Sequence, residues 1–470
     1  MMPLLPHALL DTLRAIVGPQ HVSTTADDLA NASIDLIDWP GQMPAACIVR
    51  PADRAQVAGV VRALPQDVPV IPRGAGLSYS GGAVPHGPAV LLDLRRLDEI
   101  EIHPQDLVAR VGAGTTWEQL ARQLAEHGLR TVQHPPISGV HTTVGGAAAQ
   151  GMPGGLDGVA GLVVVLANGA ILPAGAAAQP GSPPFQRYWG PDLTGLFLGD
   201  CGALGIKTDI VLRLAPLRPV RFASFACDGD AACVALMTEL LRQGMVYRAF
   251  ANSSSRQPGQ EPAWQLHAVV EGVNDAAAEA ALDAVRALCR NRAREIDATI
   301  PGKLHAKPFS VRGFLGIEGQ RWLPVHGVLP FSATLACVRQ LRTLLDARQR
   351  SLADNGIFHT LALSSVGPYV TVEPMLYWHD ALTSLHEEYL NETNRARFAG
   401  RMDNQAARTL VKTVREELRD AMDAHGAVHA QIGRYFSYLD RLAPESADMM
   451  RQVKLLLDPE RRLNPGVLGL

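Results

Sequence analysis

The sequence predicts an α+β protein in two parts, and three observations carry that prediction. A strand, helix and strand, "AACIV", "DRAQVAGVVRAL" and "VPVI", run into a glycine-dense loop, "PRGAGLSYSGG", at residues 72–82. A second stretch rich in glycine, serine and threonine, "PPISGVHTTVGGAAAQG", follows the helix-patterned "TWEQLARQLAEHG". Beyond Pro219 the texture changes to a β-α-β-β-α order that returns later in the chain, as expected for an antiparallel sheet with helices on one face built from ferredoxin-like repeats. At 470 residues the chain is too long for one ordinary core.

Taken in order, "MMPLLPHALLDTLRAIVG" is apolar but lacks a basic first segment and meets Asp11 early, so it reads as an amphipathic helix and not as a signal peptide. "GVAGLVVVLANGAILPAGAAA" is broken by "ANGA" and Pro173 and reads as two short strands around an Asn-Gly turn, not a membrane span. "GAAAQPGSPPFQ" has neither period nor bulk and reads as a loop, and "GDCGALGIKTDIVLRLAP" as a glycine turn entering an alternating strand. The repeats are "VRFASFAC", "DAACVALMTELLRQG", "MVYRAFAN", "WQLHAVVEG" and "DAAAEAALDAVRALCRN", then "WLPVHGVLP", "SATLACVRQLRTLLDARQRSLADNG", "FHTLALS" and "YVTVEPMLYW". A polar helical stretch from 380 to 424 leads to "GAVHAQIGRYFSYLDRL" and to the end, "VKLLLDPERRLNPGVLGL". The expected domains are 1–217, with its core at 44–217, a cap of 218–424, and a returning segment of 425–470.

Lys plus Arg number 43 against 46 for Asp plus Glu, and no basic block interleaved with aromatics occurs, so nucleic acid is excluded as a partner. The six cysteines lack CxxC spacing, which fits reduced thiols and a cytoplasmic protein that spans no membrane. Any anion is therefore bound locally, at the glycine loops. Neither loop has the lysine of a GxxxxGK[ST] motif, and the first lacks the third glycine of GxGxxG. Phosphate held by main-chain N–H groups without a magnesium site is what a dinucleotide diphosphate requires.

The ordered set "VIPRGAGLSYSGG", "VLLDLRRLDEI", "VGAGTTWEQLARQLAEHGL", "PISGVHTTVGGAAA", "GPDLTGLFLGDCGALGI" and "LLDPERRLNPG" resembles the FAD-binding domain and C-terminal return of the vanillyl-alcohol oxidase / p-cresol methylhydroxylase superfamily. The resemblance implies FAD as cofactor and a two-part FAD-binding domain with a substrate cap. Residue by residue, it implies that Pro72, Arg73, Gly74, Ala75, Gly76, Leu77, Ser78 and Tyr79 wrap the diphosphate. Ser138, Thr142, Thr143, Gly145 and Gly146 would complete the cradle, Gly202 and Ile206 would lie along the flavin, and Asn464 would approach from the C-terminal end. Relatives that attach FAD through the first loop put histidine where this chain has Leu77, so a dissociable FAD is expected unless His429 or Tyr435 bonds to the ring.

Two branches of the superfamily fit. One oxidises D-2-hydroxy acids, with Arg312 in "KPFSVRGF" suited to grip a carboxylate by paired hydrogen bonds. The other oxidises para-substituted phenols or aryl alcohols, with Tyr435 placed like a phenol-contacting tyrosine and Phe436 where an arginine is usual. The expected proton acceptor is His429, beside Gln431, with His326 and Glu373 in reserve. His425 and His429 stand four apart, but Gly426 disfavours the helix a shared metal would need, and the counterpart of an HxGDGNLH-like metal site, "SSVGPYVTVEP", has no histidine; no metal is expected. The partners expected are a small-molecule substrate and either oxygen or an electron-accepting protein; a homodimer fits as well. A flavin-binding subunit without catalysis is the reading from another class.

Overall fold

The computed structural model of the chain describes residues 5–152, 155–254 and 263–470. They divide into two compact units, one made of the chain up to Pro216 with Thr383–Tyr389 and Gln431–Leu470, the other of Leu217–Leu382 and Leu390–Ala430.

In the first unit the short apolar runs Cys47–Val49, Val70–Arg73 and Val90–Asp93 have both faces covered, the pattern of parallel strands, and they pair in parallel with Ile48 and Ile71 on either side of Leu91. The crossover is the helix Arg54–Ala63, started by Asp53, whose carboxylate accepts from Gln56 N–H, and seated through Val57, Val60 and Val61. A second, antiparallel sheet runs in the order Ile100–His103, Val108–Gly112, Ile206–Pro216, Val159–Val165, Ile171–Gly175, with Leu129–Thr131 paired to the end of the long strand. The Asn-Gly turn forms as expected: Asn168 accepts from Ala170 N–H and Gly169 takes a φ of 78°.

The expectation that the whole second glycine-rich stretch is loop needs one correction. Val144–Gln150 is helical, because Thr143 caps it by accepting from Gly146 N–H. Gly145 is required there for packing, since a Cβ would lie 2.5 Å from that of Ala113. The chain end returns to the first sheet, where Leu463 bridges Val70 in parallel and Asn464 N–H donates to Val70.

The second unit is an eight-stranded antiparallel sheet carrying the repeats. The first supplies Val220–Asp228, Arg248–Ser254 and Ala263–Glu271, the second Phe358–Val366 and Tyr369–Trp378, and they join where Asn252 stands opposite Ala362. "WLPVHGVLP" is not one strand but two, Arg321–Pro324 and Gly327–Pro330, because Pro324 has no N–H to continue the ladder. Alternation gives the sheet two faces. Ala249, Ala251, Leu266, Ala268, Leu361, Leu363, Val372 and Leu376 are buried on the side packed by the helices Gly229–Arg242, Asp275–Cys289 and Phe331–Asp354. Among the described residues no helix is long and apolar enough to cross a membrane.

Candidate active site

The first glycine loop leaves the strand Val70–Arg73 with its peptide groups sorted by direction. Its carbonyls are held by the protein: Ala75 accepts from the Tyr389 hydroxyl (2.8 Å), Gly76 from Ser78 N–H, and Ser78 from Leu36 N–H. Ser80 accepts from Arg434 N–H, Gly81 from Arg434 Nη1 (2.8 Å) and Gly82 from Asn464 Nδ2 (2.7 Å). The N–H groups of Gly74, Ala75, Gly76 and Leu77 have no acceptor among the described residues. A run of main-chain donors without acceptors, backed by fixed carbonyls, is an anion-binding surface.

Arg73 adds charge to it. The residue is 5% exposed, burial pushes its guanidinium down from the ordinary value, and its Nη1 has no hydrogen-bond partner among the described residues. The guanidinium lies over Gly76, where a Cβ would meet Nη2 at 2.0 Å, and Gly76 has a φ of 75°. Glycine is therefore required twice at one position. At Gly74 a Cβ would stand 2.5 Å from Thr143 Oγ1, so the two glycine loops approach each other closely there. Thr142 Oγ1 is buried and also lacks a partner. Buried donors left without partners are costly in an otherwise finished fold, and a diphosphate satisfies them together; the residues present fit an FAD diphosphate.

Side chains that sequence reasoning missed hold this loop in place. Asp35 accepts from Ile37 N–H, from Trp39 Nε1 (2.9 Å) and from Gly81 N–H (2.9 Å), and its burial pushes the carboxyl up to about 6. Arg434 donates to the carbonyls of Gly81 and Pro465, and burial pushes it down to about 10. The C-terminal "LDPERRLNPG" is a strut. Asp458 accepts from Lys454 Nζ (2.6 Å), Arg462 N–H and Leu463 N–H, while Lys454 also donates to the carbonyls of Ala203 and Leu463. No local motif in the sequence signals Asp35 or Tyr389, because both act across long separations.

Three residues expected beside the flavin have bracing or packing roles within the fold. Asn464 is fully buried and its Nδ2 donates to Gly82 and Cys201, so it braces the loop from behind. Ile206 is 0% exposed at the start of the long strand and has no surface to offer a ligand. Gly202, with a φ of 78°, is needed because a Cβ would strike Pro72 at 2.5 Å. Ser78 is buried beside Ser80 at 3.2 Å, Tyr79 is buried, and Ser138 turns the second loop by accepting from His141 and Thr142 N–H. Pro72 and Leu77 stay half-buried. Tyr435 packs edge-on against Trp39 and Phe436, and Phe436 is core.

In the second unit His429 lies between two acceptors. Its Nδ1 faces the His326 carbonyl (2.7 Å) and its Nε2 faces Asp423 (2.6 Å), so both ring nitrogens are engaged within this unit. His425 ends the helix Gln405–Ala424, and Gly426 turns the chain with a φ of 77°. His326 is buried with Nε2 donating to the Ala430 carbonyl, and burial, followed by the nearby His429 and Arg415, pushes it down to about 4. That is too weak a base at neutral pH.

Glu373 is different. Its partner across the ladder is Ala362, which stands opposite Asn252, so it shares the face away from the covering helices with Arg248, Phe250, Asn252 and Thr371. Its carboxyl has no hydrogen-bond or ion-pair partner among the described residues, and burial pushes it up to about 7. On the same face Arg248 lies 5.1 Å over the Phe250 ring with no carboxylate paired to it among the described residues, and its burial lowers it. Arg312 likewise has no carboxylate, but its Nη1 donates to the Ile317 carbonyl. Among the described residues no group of three or more His, Cys, Asp or Glu could hold a metal.

An FAD binding domain family matches residues 45–175, and the C-terminal domain of FAD linked oxidases matches residues 396–468. The chain is 27% identical to a D-lactate dehydrogenase of Archaeoglobus fulgidus over 439 residues, covering 89% of this chain and 90% of that protein. It is 29% identical to glycolate oxidase subunit GlcD of Bacillus subtilis, where the match spans only 44% of either chain. Among solved structures, p-cresol methylhydroxylase superposes with a TM-score of 0.75 at 20% identity, over 98% of this chain and 96% of that one. The 4-ethylphenol oxidase of Gulosibacter chungangensis gives 0.74 at 18% identity with the same coverage. The fold and the glycine-loop site define an FAD-binding oxidoreductase. Residues 45–175 and 396–468 are thus similar to the FAD binding domain and to the C-terminal domain of FAD linked oxidases, and the fold is that of p-cresol methylhydroxylase.

Proposed function

We propose that this protein oxidises the CH–OH group of a D-2-hydroxy acid to the 2-oxo acid. The observation that carries the cofactor half of this reading is the sorted first loop, carbonyls fixed and N–H groups of Gly74 to Leu77 open, with Arg73 beside them. The N–H groups and Arg73 would hold the diphosphate, with Thr142 joining from the second loop. When bound, FAD supplies the acceptor for the hydride leaving the substrate carbon. No histidine stands at Leu77, so the cofactor is expected to come away on acid precipitation.

The substrate half rests on Glu373 and Arg248. A carboxyl near 7 is half ionised at neutral pH and takes a hydroxyl proton well. A guanidinium without a carboxylate among the described residues is the group to receive a substrate's carboxylate, with Arg312 as a second candidate. The relative that spans 89% of the chain is a D-lactate dehydrogenase, which supports a hydroxy-acid donor. Electrons leave to oxygen or to a carrier protein.

One observation favours an aromatic donor as the second reading. Trp322, Tyr377 and Phe358 form a stacked ladder on the Glu373 face, with centroids 5.9 and 4.8 Å apart. Anaerobic titration with D-2-hydroxy acids in one series and para-alkylphenols in another decides between them. Bleaching of the flavin by the first series alone is expected; bleaching by the second alone transfers the protein to the phenol branch, and none by either leaves a binding subunit without catalysis.

A further inference from the structure

We infer that Tyr389 is a positioning residue of the cofactor site, acting through the Ala75–Gly76 peptide. The inference rests on the reading of the first loop as the cradle of the FAD diphosphate. A trans peptide holds its C=O and N–H in opposite directions, so whatever fixes the carbonyl of Ala75 also aims the N–H of Gly76. The Tyr389 hydroxyl donates to that carbonyl at 2.8 Å, and the N–H at the other end of the same peptide is one of those without an acceptor. Glycine at 76, with a φ of 75° and no Cβ, lets this peptide rotate more cheaply than its neighbours. An external hydrogen bond therefore decides which way the donor points.

Tyr389 is itself held from two sides. Arg95 Nη1 donates to its hydroxyl at 3.2 Å and to Glu388 at 3.0 Å, while the rest of the Arg95 guanidinium grips Asp93. Asp93 stands opposite Arg73 in the sheet register. On the other side the Tyr389 ring meets His141 of the second loop, centroids 4.8 Å apart at 45°. One side chain thus ties the first glycine loop to the second. It arrives on Thr383–Tyr389, a seven-residue excursion of the chain between stretches that belong to the other unit. Burial raises the phenol, which keeps it a donor at neutral pH.

The test uses the full-length chain stripped of flavin, titrated with FAD and with ADP, which carries the same diphosphate, for wild type and Tyr389→Phe. The phenyl ring keeps the His141 contact and loses only the hydroxyl. Removing the one hydrogen bond that the described residues give this carbonyl predicts that FAD and ADP affinities fall together by roughly tenfold. The melting temperature of the flavin-free protein should stay within about a degree, while the rise on adding FAD shrinks. Affinities within twofold of wild type overturn the inference, as does a loss matched by a large fall in flavin-free stability. His141→Ala, which leaves the Ala75 bond intact, should weaken FAD less than Tyr389→Phe; the reverse order also overturns it. A wild-type chain that binds neither FAD nor ADP defeats the cofactor reading itself, not the role of Tyr389 within it.

Discussion

The glycine loop of the first unit and the open sheet face of the second arrange their chemistry in opposite ways. In the loop the working groups are main-chain N–H donors, and the side chains around them, Asp35, Tyr389, Arg434 and Asn464, act by holding main-chain groups. On the sheet face the main chain is consumed by the ladder, and the chemistry is left to alternate side chains such as Arg248 and Glu373. A site of the first kind tolerates little change at its glycines. One of the second kind concentrates its function in single ionisable groups.

The sharpest way to break this contrast is Gly76→Ala. A Cβ there forces a strained positive φ and displaces the Arg73 guanidinium, so FAD affinity should drop at least a hundredfold, read as loss of the yellow colour in the purified protein. Glu373→Gln should do the reverse: flavin stays bound, and its reduction by substrate slows by roughly 10²–10⁴-fold in stopped flow. The pH profile carries the sign. Below about 7 the Glu373 carboxyl is protonated and cannot accept, so the reduction rate should rise through about 7 in the wild type and run flat in the variant. Stability moves the other way. The folded carboxyl lies above its ordinary 4.5, so its contribution is full below 4.5 and lost as pH rises toward 7. Glu373→Gln should accordingly unfold later than wild type at pH 8, by on the order of 2–3 kcal/mol in urea.

Arg73→Met tests whether charge helps the main-chain donors. It should weaken FAD by roughly tenfold to a hundredfold, with a shallower salt dependence of binding. His429→Ala should have the smallest effect on chemistry, with flavin reduction within about threefold of wild type, because both ring nitrogens are already engaged. Its cost falls on stability, about 1–3 kcal/mol from the two lost partners. Collapse of reduction in this variant would return the base to His429.

How far the letters carried the reading follows the same divide. The glycine loop was legible because Gly76 is demanded locally, by the Arg73 guanidinium and by a positive φ, while Gly74 answers to Thr143 of the second loop. The repeats were legible because apolar alternation is local too. Asp35 and Tyr389 were not, since their loop partners lie 46 and 314 residues away and no spacing rule links them. The partners of His429 were hidden for a related reason: the His326 carbonyl lies 103 residues away from its ring in sequence. Glu373 rose from reserve to first choice only when the register placed it on the face away from the covering helices. Asn464 and Ile206 show that a motif shared with relatives marks the cradle without saying which members touch the ligand and which brace it.

The most direct measurement is the phosphorus NMR spectrum of FAD added to the flavin-free wild-type chain at equal concentration. Main-chain donors and Arg73 closing on the diphosphate predict that both phosphorus resonances leave their free positions and broaden, and that Gly76→Ala restores them. Resonances unmoved in the presence of the wild-type protein would contradict the account at its foundation.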